Sequence, residues 1–168
     1  GLGGLLSGAG GGLLGGGALA GLFVGSLVSG VIVDRIGRRK IFAWDMLFAA
    51  VLSIAQFFVV DAWQLLVLRF ALGVVLGFDY VVSKALLTEL SPIRFRGRLL
   101  SIMAIAWVAG YACSYAAGFL LRDLGPEAWR YMLIVSSLPS LLIFAFRFGV
   151  PESPLWLIRK GRQDEAQN

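Results

Sequence analysis

The chain has 168 residues, of which 58% are apolar and only 15% charged, with a mean hydropathy of +0.83. Those values exclude an ordinary soluble domain, which needs a polar shell around its core. The formal net charge of +5 does not point to nucleic acid, because the basic residues sit in short clusters between apolar runs. A single cysteine, Cys113, and no histidine leave neither a disulfide framework nor the ligands of a zinc or haem site, so no cofactor or metal is expected.

In chain order, residues 1–11 read as a Gly-rich N-terminal remnant, 12–150 as a transmembrane helix bundle and 151–168 as a cytoplasmic helical segment. The Gly- and Leu-rich start contains a formal G-x-G-x-x-G match at Gly10, Gly12 and Gly15. A dinucleotide site would need a strand before it and an amphipathic helix after it, whereas this stretch runs into an apolar span. A linker, a damaged helix and a sequencing artefact all remain open for it. No basic n-region or cleavage pattern marks a removable leader.

Apolar windows of about 20 residues, each long enough to cross a bilayer, predict helices over 12–33, 41–60, 63–88, 99–121 and 129–149. Of the 15 basic residues, 11 lie at 35–40, 94–98 and 147–162; two lie in the loop after the fourth helix, and Arg69 and Lys84 lie inside the third. The positive-inside rule then places the 34–40 loop, the 89–98 loop and the C-terminus in the cytoplasm. Trp63, Trp129 and Tyr131 fall at the outer interface and Trp44 and Trp156 at the inner one, where amphipathic rings prefer to sit. Small residues recur every fourth position in the first span (Gly17, Gly21, Gly25, Ser29), the third (Gly73, Gly77) and the fourth (Gly110, Ser114, Gly118), the pattern of helices whose backbones approach closely in lipid.

At the end of the first span stands Gly30-Val-Ile-Val-Asp34-Arg35-Ile-Gly37-Arg38-Arg39-Lys40. It resembles the G-x-x-x-D-R-x-G-R-R-K loop signature of the major facilitator superfamily at every specified position. Glu89-Leu-Ser-Pro-Ile-Arg94-Phe-Arg96-Gly97-Arg98 is similar to the E-x-S-P-x-x-x-R-G loop of that superfamily's sugar porter branch and its metabolite-transporting relatives. Pro151-Glu152-Ser153-Pro154-Leu155-Trp156-Leu157 is similar to the branch's P-E-S-P-R-W-L segment, with Leu155 in place of the usual arginine. Ser153 would cap the following cytoplasmic helix, with Pro154 in its first turn.

The resemblance covers residues 12–168. It implies an all-α, polytopic membrane protein of the cell (inner or plasma) membrane, with five of the six helices of an N-terminal half. The family's first helix and its C-terminal six-helix half would be absent, and the chain alone would be inactive. It also implies that Gly30, Asp34, Arg35, Gly37, Arg38, Arg39, Glu89, Arg96 and Glu152 form the cytoplasmic gate, through ion pairs that break in the inward-facing state.

Ionisable side chains inside a span cost about 2.5–3.5 kcal/mol each at mid-depth and so face a wet cavity or a partner. Arg69 and Lys84 project within about 60° of each other on a helix, and Asp79 about 80° from Arg69 on its other side. By the resemblance, Arg69 stands where proton-coupled sugar porters carry an arginine paired with an acid of helix one. Asp79 stands where niacin and aromatic-acid transporters carry a glutamate, which makes it the candidate proton carrier; a structural Asp79–Lys84 pair is the competing reading. Ala104, Trp107, Tyr111 and Ser114 share a face of the fourth span, with Ala104 where sugar porters use a glutamine. That face suits stacking on an aromatic or apolar metabolite, and plain helix packing accounts for the same residues.

The sequence therefore leads to a secondary active transporter of a small organic metabolite, such as an organic or aromatic acid or a sugar, with protons and the lipid bilayer as its other partners. A non-transporting receptor or sensor on the same fold is the alternative. A membrane-embedded enzyme is disfavoured, as no nucleophile with a base and no phosphate loop is present.

Overall fold

The computed structural model describes residues 9–123, 125, 128–147 and 157. Among these, all regular structure is helical: α1 (Ala9–Ile36), α2 (Arg38–Phe57), α3 (Ala62–Leu90), a 3₁₀ turn (Ile93–Phe95), α4 (Arg96–Leu121), α5 (Ala128–Val135) and α6 (Ser137–Arg147). With α5 and α6 sharing one crossing, five segments are long and apolar enough to span a bilayer. Gly10, Gly12 and Gly15 lie inside α1 rather than in a loop, which removes the strand–loop–helix geometry a phosphate cradle needs. The segment from 151 onward, including Glu152, Ser153 and Trp156, lies outside the described residues, except for Leu157.

Local chemistry sets the helix ends. Gly37 alone separates α1 from α2; its φ of 104° lies where a side chain would be strained, and its N–H reaches the Val33 carbonyl at 3.1 Å. α2 stops at Phe57, three residues before the apolar window ends at residue 60, and Asp61 is extended (φ −110°, ψ 144°) to open α3. There Asp61 and Gln64 form a reciprocal capping box. Ser91 is extended (φ −94°, ψ 137°), as a residue before proline prefers, and ends α3.

The last crossing, expected as one helix over 129–149, is broken at Ser136. Pro139 has no N–H to give and would clash with a preceding turn, so it is accommodated only in the first turn of a new helix. Carbonyls freed at the break are taken up by serines: Ser136 Oγ donates to Leu133 O at 2.6 Å and Ser137 Oγ to Ile134 O at 2.7 Å. Inside a membrane no water would do this instead.

α1 packs chiefly along α3. A Cβ added at Gly21 or Gly25 would run into the backbone of Phe70 and Val74, and one added at Gly73 or Gly77 into the backbone from Ala18 to Ser26. Two of the predicted small-residue stripes therefore face each other. The third behaves otherwise: nothing lies within 4 Å of an added Cβ at Gly110 or Gly118, and no α4 residue is buried among the described residues. Apolar clusters close both ends of the α1–α3 seam, Leu14, Val59 and Leu65 at one and Val33, Val82 and Leu86 at the other. The aromatic markers separate likewise: Trp63 starts α3 and Trp129 and Tyr131 start α5 at one end, while Trp44 meets Phe144 at the other, with ring centroids 6.1 Å apart.

Candidate functional site

Three groups of polar side chains stand out from the apolar bundle. The first lies at the arginine-rich end. The sharp turn at Gly37 swings the start of α2 back toward the C-terminal end of α3, and Arg38 there pairs with both Asp34, at 3.6 Å, and Glu89. Arg38 and Glu89 are largely shielded, with side chains 14% and 13% exposed, whereas Asp34 is 55% exposed. Arg96 opens α4 and donates from Nε to the Ser91 carbonyl at 3.3 Å, tying the loop to the helix that follows. The expected gate residues Asp34, Gly37, Arg38, Glu89 and Arg96 thus come together around two helix ends. Gly30 has open space around it and Arg35 is exposed, so the structure gives neither a contact in this cluster.

The second group bridges α3 and α4. Lys84 Nζ sits 3.7 Å from the centre of the Tyr80 ring, Tyr80 lies 5.9 Å from Trp107, and Trp107 lies 5.4 Å from Tyr111. One turn of helix places Tyr80 and Lys84 on the same face, and the same spacing aligns Trp107 with Tyr111. The result is a ladder with a cation at one end and half-exposed rings along it. Lys84, Trp107 and Tyr111 were legible as candidates, but Tyr80, which joins them, was not. An aromatic four residues before a membrane lysine is the signal that would have found it.

Asp79 does not belong to that ladder, and it does not pair with Lys84. It turns to the other side of α3, where its carboxylate lies 2.7 Å from Arg147 Nη1 and accepts a hydrogen bond from Ser83 Oγ at 2.9 Å. The same Arg147 nitrogen lies 2.8 Å from Asp45 of α2 and 3.1 Å from the Phe42 carbonyl, and the guanidinium stacks on the Phe42 ring at 3.9 Å. This third group corrects the sequence reading twice. Arg147 is not a free positive charge of a cytoplasmic tail but a shielded group, 13% exposed, holding the end of α6 against α2 and α3. Asp45, 4% exposed, was passed over altogether, although a lone acid in an apolar span is itself a sign of an intramembrane partner.

Arg69 stands apart from all three. Its Nε is buried without a hydrogen-bond partner among the described residues. Among those residues no three metal-ligating side chains converge. A groove of about 410 Å³ opens between α1, α2 and α3, lined by apolar residues such as Ile36, Trp44 and Phe78, with Lys40 and Asp45 as its charged members.

A bundle of apolar spans, a charge cluster at one end and polar groups within the spans together define a polytopic membrane protein of the major facilitator type. Residues 11–168 match the family model described as "Sugar (and other) transporter", and the chain belongs to that family, a transporter and not an enzyme family. It is 48% identical over 155 residues to the inner membrane metabolite transport protein YgcS of Escherichia coli, covering 92% of this chain and 35% of that protein. It is 34% identical over 155 residues to the major myo-inositol transporter IolT of Bacillus subtilis, covering 88% of this chain and 32% of that protein. The partially occluded, inward-open xylose transporter XylE of Escherichia coli superposes with a TM-score of 0.82 at 26% identity, over 90% of this chain and 41% of that one. The chain thus spans about a third of the length of these curated relatives.

Proposed function

We propose that the chain is the greater part of the N-terminal half of a secondary active transporter that carries a small organic metabolite by alternating access, coupled to protons. The missing first helix and a C-terminal six-helix half would complete it in the cell membrane, with the Asp34–Arg38–Glu89 end in the cytoplasm. Family membership and the metabolite-transporting relatives support the transport reading. The observation that carries the substrate class is the Lys84–Tyr80–Trp107–Tyr111 ladder, which offers a cation and aromatic faces rather than the hydroxyl-binding amides a sugar would call for. An organic anion with a ring or apolar body fits it best. Arg69, half-buried with its Nε lacking a hydrogen-bond partner among the described residues, would meet an acid supplied by the first helix.

In this reading the ion pairs of Arg38 hold the cytoplasmic end closed. The Asp34 pair is exposed on one side and weak, and the shielded Glu89 pair is the one that differential binding of substrate and proton would have to offset. Uptake of a panel of organic acids and sugars by the full-length protein, measured with and without an imposed pH gradient, tests the proposal. Concentrative, gradient-driven uptake of an organic acid that is lost in Asp79→Asn is the expected result. Binding without accumulation would instead mark a sensor on the same fold, and concentrative uptake by Asp79→Asn would remove Asp79 as a proton carrier.

A further inference from the structure

We infer that Asp45, Asp79 and Arg147 form a single proton-binding site, in which the two carboxylates share one guanidinium and together take up one proton. Both carboxylates contact the same nitrogen, Arg147 Nη1, at 2.8 Å from Asp45 and 2.7 Å from Asp79, which holds their nearer oxygens close together. Fully ionised, the cluster would carry two negative charges against one positive charge, in a position shielded from water and surrounded by apolar helix faces. One added proton makes it neutral. Buried charge is tolerated only when it is balanced and hydrogen-bonded, so the neutral stoichiometry is the one the bundle can hold.

The structure also indicates where the proton goes. Asp79 takes both of its contacts, from Arg147 and from the Ser83 hydroxyl, on Oδ1. Asp45 gives Oδ1 to Arg147, while its Oδ2 is buried and has no hydrogen-bond partner among the described residues. That buried, unpartnered oxygen is placed to accept the shared proton, which leaves a hydronium ion as the new carboxyl O–H bond forms. A metal ion is a poorer occupant, because it would need several oxygen ligands, and the cluster leaves only the second oxygen of each carboxylate, beside a guanidinium cation.

The other charged groups nearby do not change this count. From α2, Lys40 lies along the same groove wall as Asp45. From α3, Lys84 is turned onto the Tyr80 ring. α1 lines the groove with Ile32 and Ile36 only.

The inference rests on the proton-coupled reading for its place in transport, but not for the protonation itself. Three helices meet at the cluster, so a proton that loosens one carboxylate from Arg147 changes what holds α6 to α2 and α3. The test is difference infrared spectroscopy of the full-length protein in lipid, following the carbonyl band of protonated carboxyl groups in wild type, Asp45→Asn, Asp79→Asn and Arg147→Gln.

Wild type is expected to show one protonated carboxyl that Asp45→Asn and Asp79→Asn each remove, since either leaves one carboxylate for one cation. Arg147→Gln is expected to raise the signal to two. Helical circular dichroism confirms that each variant is folded; should Arg147→Gln fail to fold, Arg147→Lys, which keeps the cation, is expected to retain the one-proton signal. A band absent from wild type, unmoved by either aspartate substitution, or abolished by sodium ions would overturn the site. Loss of proton-coupled uptake with the band intact would sink the coupling reading and leave the site standing.

Discussion

Replacing Gly73 by alanine puts the α1–α3 seam to a direct test. A Cβ there would stand 3.0 Å from both the Ala18 carbonyl carbon and the Leu22 amide nitrogen, with the Ala18 carbonyl oxygen closer still. Carbon atoms prefer about 3.5–4.0 Å, so the two helices must separate by roughly 1 Å at the crossing. A gap of that size forfeits about a quarter to a half of each contact's attraction, of ~0.1–0.2 kcal/mol per atom pair. Over the tens of pairs along such a seam, together with residual overpacking, the loss is about 1–3 kcal/mol. In lipid, where apolar surface gives no drive for association, nothing offsets it. Thermal unfolding of the full-length protein in detergent micelles, followed by tryptophan fluorescence, should show a clear drop for Gly73→Ala. Gly110→Ala, in open space on α4, should show no loss. Equal shifts in the two variants would refute the idea that the glycine stripe works by backbone approach.

Gly37→Ala, forced to φ 104°, should cost about 1–3 kcal/mol in the same unfolding assay, whereas Gly30→Ala should be neutral for stability. Trp107→Ala should raise the half-saturating substrate concentration for uptake about twofold to tenfold, the worth of one lost ring contact, while Tyr115→Ala, exposed and outside the ladder, should leave it unchanged. In a Cys113→Ala background, cysteines replacing Arg39 and Arg98 should react with an impermeant maleimide from one face of the membrane, and those replacing Asp61 and Asp123 from the other. Labelling of Arg39→Cys and Arg98→Cys from opposite faces would break the topology.

Much of this architecture was readable beforehand, and the reasons are local. A span announces itself through some 20 consecutive apolar residues, and the end of one through Gly37, the Asp61–Gln64 cap or Ser91-Pro92. The Asp34–Arg38–Glu89 cluster was readable because Asp34 and Arg38 are four residues apart in one motif and Glu89 belongs to a motif of its own. The break at Ser136 was missed because Pro139 sits within an apolar run whose hydropathy does not change there. Arg147 was misread for a related reason. An arginine at the end of an apolar run satisfies the positive-inside rule whether it faces water or a carboxylate, and its partner Asp45 lies 102 residues away. Periodicity carries no information across that distance.

The same limit explains why three glycine stripes looked alike in sequence and only two met. Inside a membrane, two helices stay together through close backbone approach or through a polar bond that lipid cannot replace. α1 and α3 have the first, at Gly21, Gly25, Gly73 and Gly77, and α6 has the second, at Arg147. α4 has neither among the described residues and touches α3 through the Tyr80–Trp107 contact. α4 thus carries two of the four residues of the proposed substrate ladder, Trp107 and Tyr111, with few other contacts to α3. In the proposed reading, a substrate that bridges Lys84 and Trp107 would add to that α3–α4 contact.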